Sequence, residues 1–275
     1  MVCTLALRPD ASPADCAAAL AAAWGGDFVF HLRGVEPSTD LRHHYGPMME
    51  LLGGPAHLAE DATIGDRNHQ RTDGVWMEVR FDPAVPNAYR HSDQAQPLHT
   101  DGSYIPSFPD AGLLACVSQA SAGGETIFLD GPTLVEILQR ADPVLLARLE
   151  ATAVPHARSG DRRVAPVIRR DGDAIILNWN NYCVDPSADQ RVDDLRADFF
   201  SFLAREPGIH ASVVPVRLAP GEAVIWKDDR VLHGRNGFKS ERVSERFFWK
   251  AAFHVQPHSA TGEIAPPSRS TATTR

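Results

Sequence analysis

The stretch Pro97-Leu98-His99-Thr100-Asp101-Gly102-Ser103-Tyr104 sets an imidazole and a carboxylate two residues apart. On a β-strand, positions i and i+2 share a face, so this spacing predicts that His99 and Asp101 grip one ion together. A second imidazole comes from Trp226-Lys227-Asp228-Asp229-Arg230-Val231-Leu232-His233-Gly234. Two histidines and one carboxylate on one face of an octahedral metal leave three positions open, enough for a chelating co-substrate and dioxygen. His-x-Asp alone is a weak signal, because a chain with 12 histidines and 35 acidic residues contains such pairs by chance.

The order of motifs is more informative than any one of them. After His99-x-Asp101 come Gly123-Gly124-Glu125-Thr126, then Asp228-Asp229-Arg230-Val231-Leu232-His233-Gly234, then Arg246. This order resembles the taurine dioxygenase and clavaminate synthase-like family of iron(II)/2-oxoglutarate-dependent oxygenases. The resemblance runs from about Gly25 to Val255 and is strongest over 97–131 and 221–250. It implies a double-stranded β-helix, the jelly-roll or cupin-like barrel. It also implies iron(II) held by His99, Asp101 and His233, with 2-oxoglutarate on two of the open positions and dioxygen on the third.

The far carboxylate of 2-oxoglutarate needs a charged anchor inside a dry barrel, and a planar guanidinium pairs with it in a bidentate way that lysine cannot. The resemblance assigns Arg246 to that role, with the Thr126 hydroxyl as second donor. Arg246-Phe247-Phe248-Trp249 opens an apolar strand, where a buried charge must have a partner. Arg230, Arg235 and Arg242 also lie near His233, and the plainer reading of each is a solvated or paired charge. Lys250 stands where some relatives carry a second arginine for an anionic substrate.

The implied reaction is oxidative decarboxylation of 2-oxoglutarate to succinate and carbon dioxide, coupled to hydroxylation of an unactivated C–H bond. Desaturation, cyclisation or epoxidation draws on the same oxidant. Halogenating relatives have a small residue in place of Asp101, which disfavours chlorination here. Gln94, Gln96, Ser103, Tyr104, Arg235 and Lys250 are polar or amphipathic groups close in sequence to the metal motifs. They suit a small polar substrate such as an amino acid, an amine or an organic acid. Two rivals differ in class. A redox-inactive metal-binding barrel would have no need of Thr126 and Arg246, and a Ser-His-Asp hydrolase lacks the Gly-x-Ser-x-Gly elbow.

The elements needed to position these groups are legible in outline. At 275 residues, with 43% hydrophobic and 23% charged side chains, the chain is ordinary for one large globular domain, expected over 1–256. A net charge of −8 gives no electrostatic reason to expect nucleic acid or an anionic membrane as partner. Four scattered cysteines fit reduced thiols, and no apolar run approaches the roughly 18 residues of a membrane span, so a cytoplasmic location is expected. Ser12-Pro13-Ala14-Asp15 reads as the start of a helix to Trp24, and a second helix is expected over 40–52, with His43 and His44 on its surface.

Strands are expected at 27–32, 75–81, 112–118, 126–129, 212–218, 223–226 and 246–255, and as a hairpin of 164–170 with 174–179. Helices are expected after Pro132 and Pro143 and from Asp193 or Asp194 to Arg205, the last ended by Pro207-Gly208. The polar segment 56–74 reads as a lid or a surface loop, and 257–275 as a disordered tail. Many short strands flanked by a few helices fit a mainly β jelly roll with helices outside it.

Overall fold

The structure, a computed structural model, describes residues 2–56, 74–84, 89–106, 109–158, 160–186 and 189–256. The expected lid at 56–74 and the tail at 257–275 lie almost wholly outside those residues. The chain begins β1 (Val2–Ala6), α1 (Pro13–Ala23), β2 (Val29–Arg33), α2 (Leu41–Leu52), β3 (Met77–Arg80) and β4 (Gln96–His99). Then come β5 (Ala111–Ser118), β6 (Thr126–Asp130), α3 (Gly131–Ala141), α4 (Pro143–Ala151), β7 (Val154–Arg158) and β8 (Asp161–Ala165). It continues with β9 (Ile168–Asp171), β10 (Ala174–Leu177), α5 (Gln190–Arg205), α6 (Pro207–Ser212) and β11 (Val214–Val216). The last three strands are β12 (Ala223–Lys227), β13 (Val231–Arg235) and β14 (Phe247–Phe253).

Two sheets face each other. One runs β1-β2-β12-β5-β14-β3 and the other β11-β6-β13-β4, with two-stranded ribbons β10-β9 and β7-β8 beside them. Strand alternation sorts the side chains into layers. On β5, Leu113 and Ala115 join Phe30, Leu32, Ala223 and Ile225 against α1 and α2, where Leu20, Tyr45, Met48 and Met49 are fully buried. The alternate residues Leu114, Cys116, Val224, Trp226, Phe128, Val231 and Phe248 fill the space between the sheets. On the far side, Leu129 and Leu232 pack against Leu134, Leu138, Leu149, Leu195 and Phe199 of the helices. Full burial of each large apolar side chain contributes about 1.5–3 kcal/mol, so the sheets are clamped between two helical layers.

Helix starts follow the expected chemistry. Ser12 and Asp15 form a reciprocal capping box, with Ser12 N–H donating to Asp15 Oδ2 at 2.8 Å. Asp130 and Asp142 cap α3 and α4, each with a proline in the first turn. Several expectations are corrected. The cap of α5 is Asp189, a turn earlier than Asp193, because Val192 belongs to its buried stripe. Pro207-Gly208 does not simply end that helix but lies in the short α6, opened by the Glu206 carboxylate. Val164 belongs to β8 and pairs with β7, so the expected hairpin reduces to β9 and β10 across the Asp171-Gly172 turn. Of the two helical histidines, His43 is exposed, but His44 is buried with Nε2 3.3 Å from Cys16 Sγ between α1 and α2. All four cysteines are free. Among the described residues no helix is long and apolar enough to cross a membrane.

His156 on β7 is fully buried and accepts the N–H of Asn180 at Nε2 (3.4 Å), which holds the segment after β10 in place. Burial lowers this imidazole from 6.5 to about 4. Between those pH values the unfolded chain takes up a proton that the folded chain refuses, so stability falls as pH drops through the window. Urea denaturation at pH 7 and pH 5 should show the slope, up to roughly 1.4 kcal/mol per pH unit from this group. A His156→Gln variant should show a shallower one; an unchanged slope in the variant would be evidence against the assignment.

Candidate active site

Strands β4 and β13 run antiparallel with His99 directly opposite His233, and the two ring centroids are 4.3 Å apart. His99 Nδ1 lies 2.8 Å from the Pro97 carbonyl, which can only accept, so Nδ1 carries the proton and Nε2 keeps its lone pair. His233 Nδ1 is buried, without a hydrogen bond among the described residues, and lies 3.5 Å from Asp228 Oδ1. Its Nε2 faces Asp101 Oδ1 at 3.5 Å, and His99 Nε2 faces the same oxygen at 3.7 Å. One ligand atom from each of the three residues falls within 4.8 Å of the others.

The pleat does not position Asp101, as the strand spacing predicts, since β4 ends at His99 and Asp101 lies in the turn that follows. Side chains from elsewhere fix that turn. Asp228, fully buried, accepts the Asp101 N–H at Oδ2 (2.8 Å) and the Trp226 indole N–H at Oδ1 (2.9 Å). Thr100 donates its N–H to the Trp179 carbonyl at 2.6 Å and accepts the Trp179 N–H at Oγ1 (3.1 Å). Lys250 Nζ donates to Asp101 Oδ1 at 2.5 Å.

The electrostatics suit a cation. Burial lowers His233 to about 4, which leaves it neutral and able to ligate at ordinary pH. Burial would raise Asp101, but the Lys250 ammonium and then His233 outweigh it and hold the carboxyl well below the usual range. Burial, followed by the Asp101 charge, pushes Asp228 up to about 8. A donor set of two neutral imidazoles and one carboxylate, each histidine with its outer nitrogen turned to a second-layer acceptor, fits a divalent transition metal.

The cluster opens into a cavity of about 440 Å³, lined by Gln96, Tyr104, Thr126, Trp226, Arg235, Arg246 and Lys250 among others. Arg246, just before β14, is 2% exposed, and its Nε donates to the Gly124 carbonyl at 3.1 Å. Its guanidinium lies over Phe248 (4.2 Å) and near Phe238 (5.4 Å), and no carboxylate among the described residues pairs with it. Burial, then the nearby Arg235, lowers its affinity for the proton well below the ordinary value. Gly124 has φ +73°, and a Cβ there would meet Arg246 Nε at 3.0 Å, which accounts for glycine beside the guanidinium.

The remaining sequence candidates separate. Gln96 Nε2 lies 3.2 Å from His99 Nε2, and the buried Tyr104 lines the cavity. Ser103 is fully buried and absent from the cavity lining. Arg235 lines the cavity but spends its Nη2 on the carbonyls of Tyr89, Ser92 and Gln94 at 3.1, 2.9 and 2.5 Å. Arg230 sits beside Asp229 at 3.5 Å, and Arg242 is exposed. Three contributions escape sequence reasoning: Asp228, and in the cavity lining Arg158 and the run Asn180–Tyr182. Tyr182 bonds Tyr89, also in the lining, hydroxyl to hydroxyl at 2.6 Å. Only the Asp in Asp228-Asp229-Arg230 offered a signal. Replacing it, Asp228→Asn, leaves one acceptor oxygen where the Asp101 N–H and the Trp226 indole N–H use two. Such second-layer changes cost about 10–100-fold in metal affinity, a loss that calorimetry with Mn(II) would detect; unchanged affinity would count against this role.

Comparison with known proteins agrees with this geometry. Residues 8–250 match the model of the taurine catabolism dioxygenase TauD, TfdA family. The uridine-5'-phosphate dioxygenase of a Streptomyces species is 29% identical over 180 residues, 58% of this chain and 62% of that protein. The gamma-butyrobetaine dioxygenase of Pseudomonas sp. strain AK-1 is 30% identical over 60% of this chain and 45% of its own length. The chain thus matches less than two thirds of either relative. Among solved structures, asparagine oxygenase with Fe(II), hydroxyasparagine and succinate superposes with a TM-score of 0.65 at 17% identity, over 87% of this chain and 78% of that one. PvcB of Pseudomonas aeruginosa gives 0.62 at 21% identity, over 93% and 86%. These likenesses establish the same double-stranded β-helix. With the family model covering most of its length, the chain belongs to the taurine catabolism dioxygenase TauD/TfdA family.

Proposed function

We propose that the protein is an iron(II)- and 2-oxoglutarate-dependent dioxygenase that hydroxylates an unactivated C–H bond of a small polar molecule. The observation that carries this reading is the His99–Asp101–His233 cluster sharing one cavity with a buried guanidinium that has no ionic partner among the described residues. A redox-inactive metal barrel has no use for such a cation. Iron(II) and 2-oxoglutarate together, when bound, supply oxidation by dioxygen, with succinate and carbon dioxide as by-products.

The chain's own groups do the positioning. His99, Asp101 and His233 would hold the metal, and Arg246 with the Thr126 hydroxyl would hold the far carboxylate of 2-oxoglutarate. Phe238 and Phe248, packed on that guanidinium, keep water from it and strengthen its attraction for an anion. Gln96, Tyr104, Lys250, Arg158, Asn180 and Tyr182, all in the lining, would contact the substrate. Among the described residues the lining carries Arg90, Arg158, Arg235, Arg246 and Lys250 against one carboxylate, Asp101. An amino acid or organic acid therefore suits it better than a simple amine. Desaturation is the second outcome to consider, since tyrosine isonitrile desaturase of P. aeruginosa is among the relatives, at 24% identity over 58% of this chain. Four free cysteines are in keeping with a cytoplasmic location.

Anaerobic protein loaded with iron(II) and 2-oxoglutarate should show a weak visible charge-transfer band, which His99→Ala, Asp101→Ala and His233→Ala each abolish. A featureless spectrum from the loaded, unmodified protein would refute the reading. Arg246→Ala should weaken 2-oxoglutarate binding by on the order of 2–5 kcal/mol, the cost of removing one partner of a buried charge pair. Arg242→Ala should leave it unchanged, and equal effects would move the anchor elsewhere. A succinate-release screen over amino acids and small acids, read by mass spectrometry, separates a product that gains oxygen from one that loses two hydrogens.

A further inference from the structure

Lys250 is the third inward-facing residue in the series Arg246, Phe248, Lys250, and its backbone is held on both sides by pairing of β14 with β5 and β3. Its side chain is 19% exposed and that of Asp101 17%. The oxygen it touches, Asp101 Oδ1 at 2.5 Å, is the same one that faces Nε2 of both histidines. A carboxylate oxygen has lone pairs for two partners, so the ammonium and a metal ion can use it together. They do so as like charges, and the ammonium draws electron density from the oxygen that must ligate.

We propose that Lys250 is a positioning residue that sets the affinity of the His99–Asp101–His233 cluster for a divalent cation, by sharing the ligand oxygen of Asp101. The inference rests on the metal-centre reading above. Two neutral imidazoles, one carboxylate and one ammonium sum to zero charge, so the cluster attracts a divalent ion less strongly than its ligands alone would. In exchange, the ammonium holds Oδ1 aimed between the two imidazoles. The centre is thereby a moderate-affinity one, which exchanges its ion instead of retaining it permanently.

The test is isothermal titration calorimetry of the full chain with Mn(II) chloride, which needs neither substrate nor turnover. Lys250→Met keeps the length and removes the charge. It should bind Mn(II) at least about tenfold more tightly, as expected for deleting a like charge at this range in a partly buried site. Lys250→Gln, which also retains a hydrogen-bond donor, should shift the same way and serves if the methionine variant folds poorly. Lys250→Arg keeps the charge and should stay within about threefold of the unmodified protein, since a cation of either kind repels the ion similarly. Unchanged or weaker binding in the neutral variants, with normal binding by the unmodified protein, would overturn the proposal and leave the metal centre standing. Absence of binding by the unmodified protein, matched by His99→Ala, would overturn both.

Discussion

The antiparallel seam between β4 and β13 is the constraint from which the site follows. Only the register that sets His99 against His233 brings two imidazoles to one point, and a slip of one residue would turn one of them out of the space between the sheets. The seam is tight. A Cβ on Gly234 would meet the Gln96 carbonyl at 2.6 Å, so the residue beside His233 has to be glycine for the strands to approach. The register is also braced from the other edge of β13, which pairs with β6 in the same four-stranded sheet.

Charge burial supplies the second constraint. A polypeptide of net charge −8 gathers five cationic side chains, among the described residues, around one cavity, and each must answer for its desolvation. Arg235 does so with backbone carbonyls and Lys250 with Asp101. Among the described residues Arg246 has a single carbonyl and two aromatic faces, which is too little for a guanidinium so deeply buried. That shortfall is what supports the proposed role of Arg246 as anchor for the far carboxylate of 2-oxoglutarate.

Asp228 shows how packing creates a role. It is one of four charged residues between Trp226 and Val231 and resembles a surface turn. Folding buries it behind the histidine, where its two oxygens hold the Asp101 backbone and the Trp226 indole. The candidate metal cluster is therefore tied to the six-stranded sheet through β12 as well as to its own four-stranded sheet.

Local sequence encodes the ligand types, the helix caps and the alternating strands, because each depends on neighbours within a few residues. The His-x-Asp, Gly-Gly-x-Thr and late-arginine motifs were readable because their order along the chain carries the family resemblance. Long-range packing alone settles the rest. Asp101 reaches its place through a turn held by Asp228 and Trp179, Ser103 is buried away from the cavity, and His44 faces Cys16 although its neighbour His43 is solvated. Arg158 and Tyr182 reach the cavity from β7 and the segment after β10, far along the chain from either metal motif. Burial and partner identity are properties of surfaces brought together across the sheets, and spacing along the chain carries no record of them.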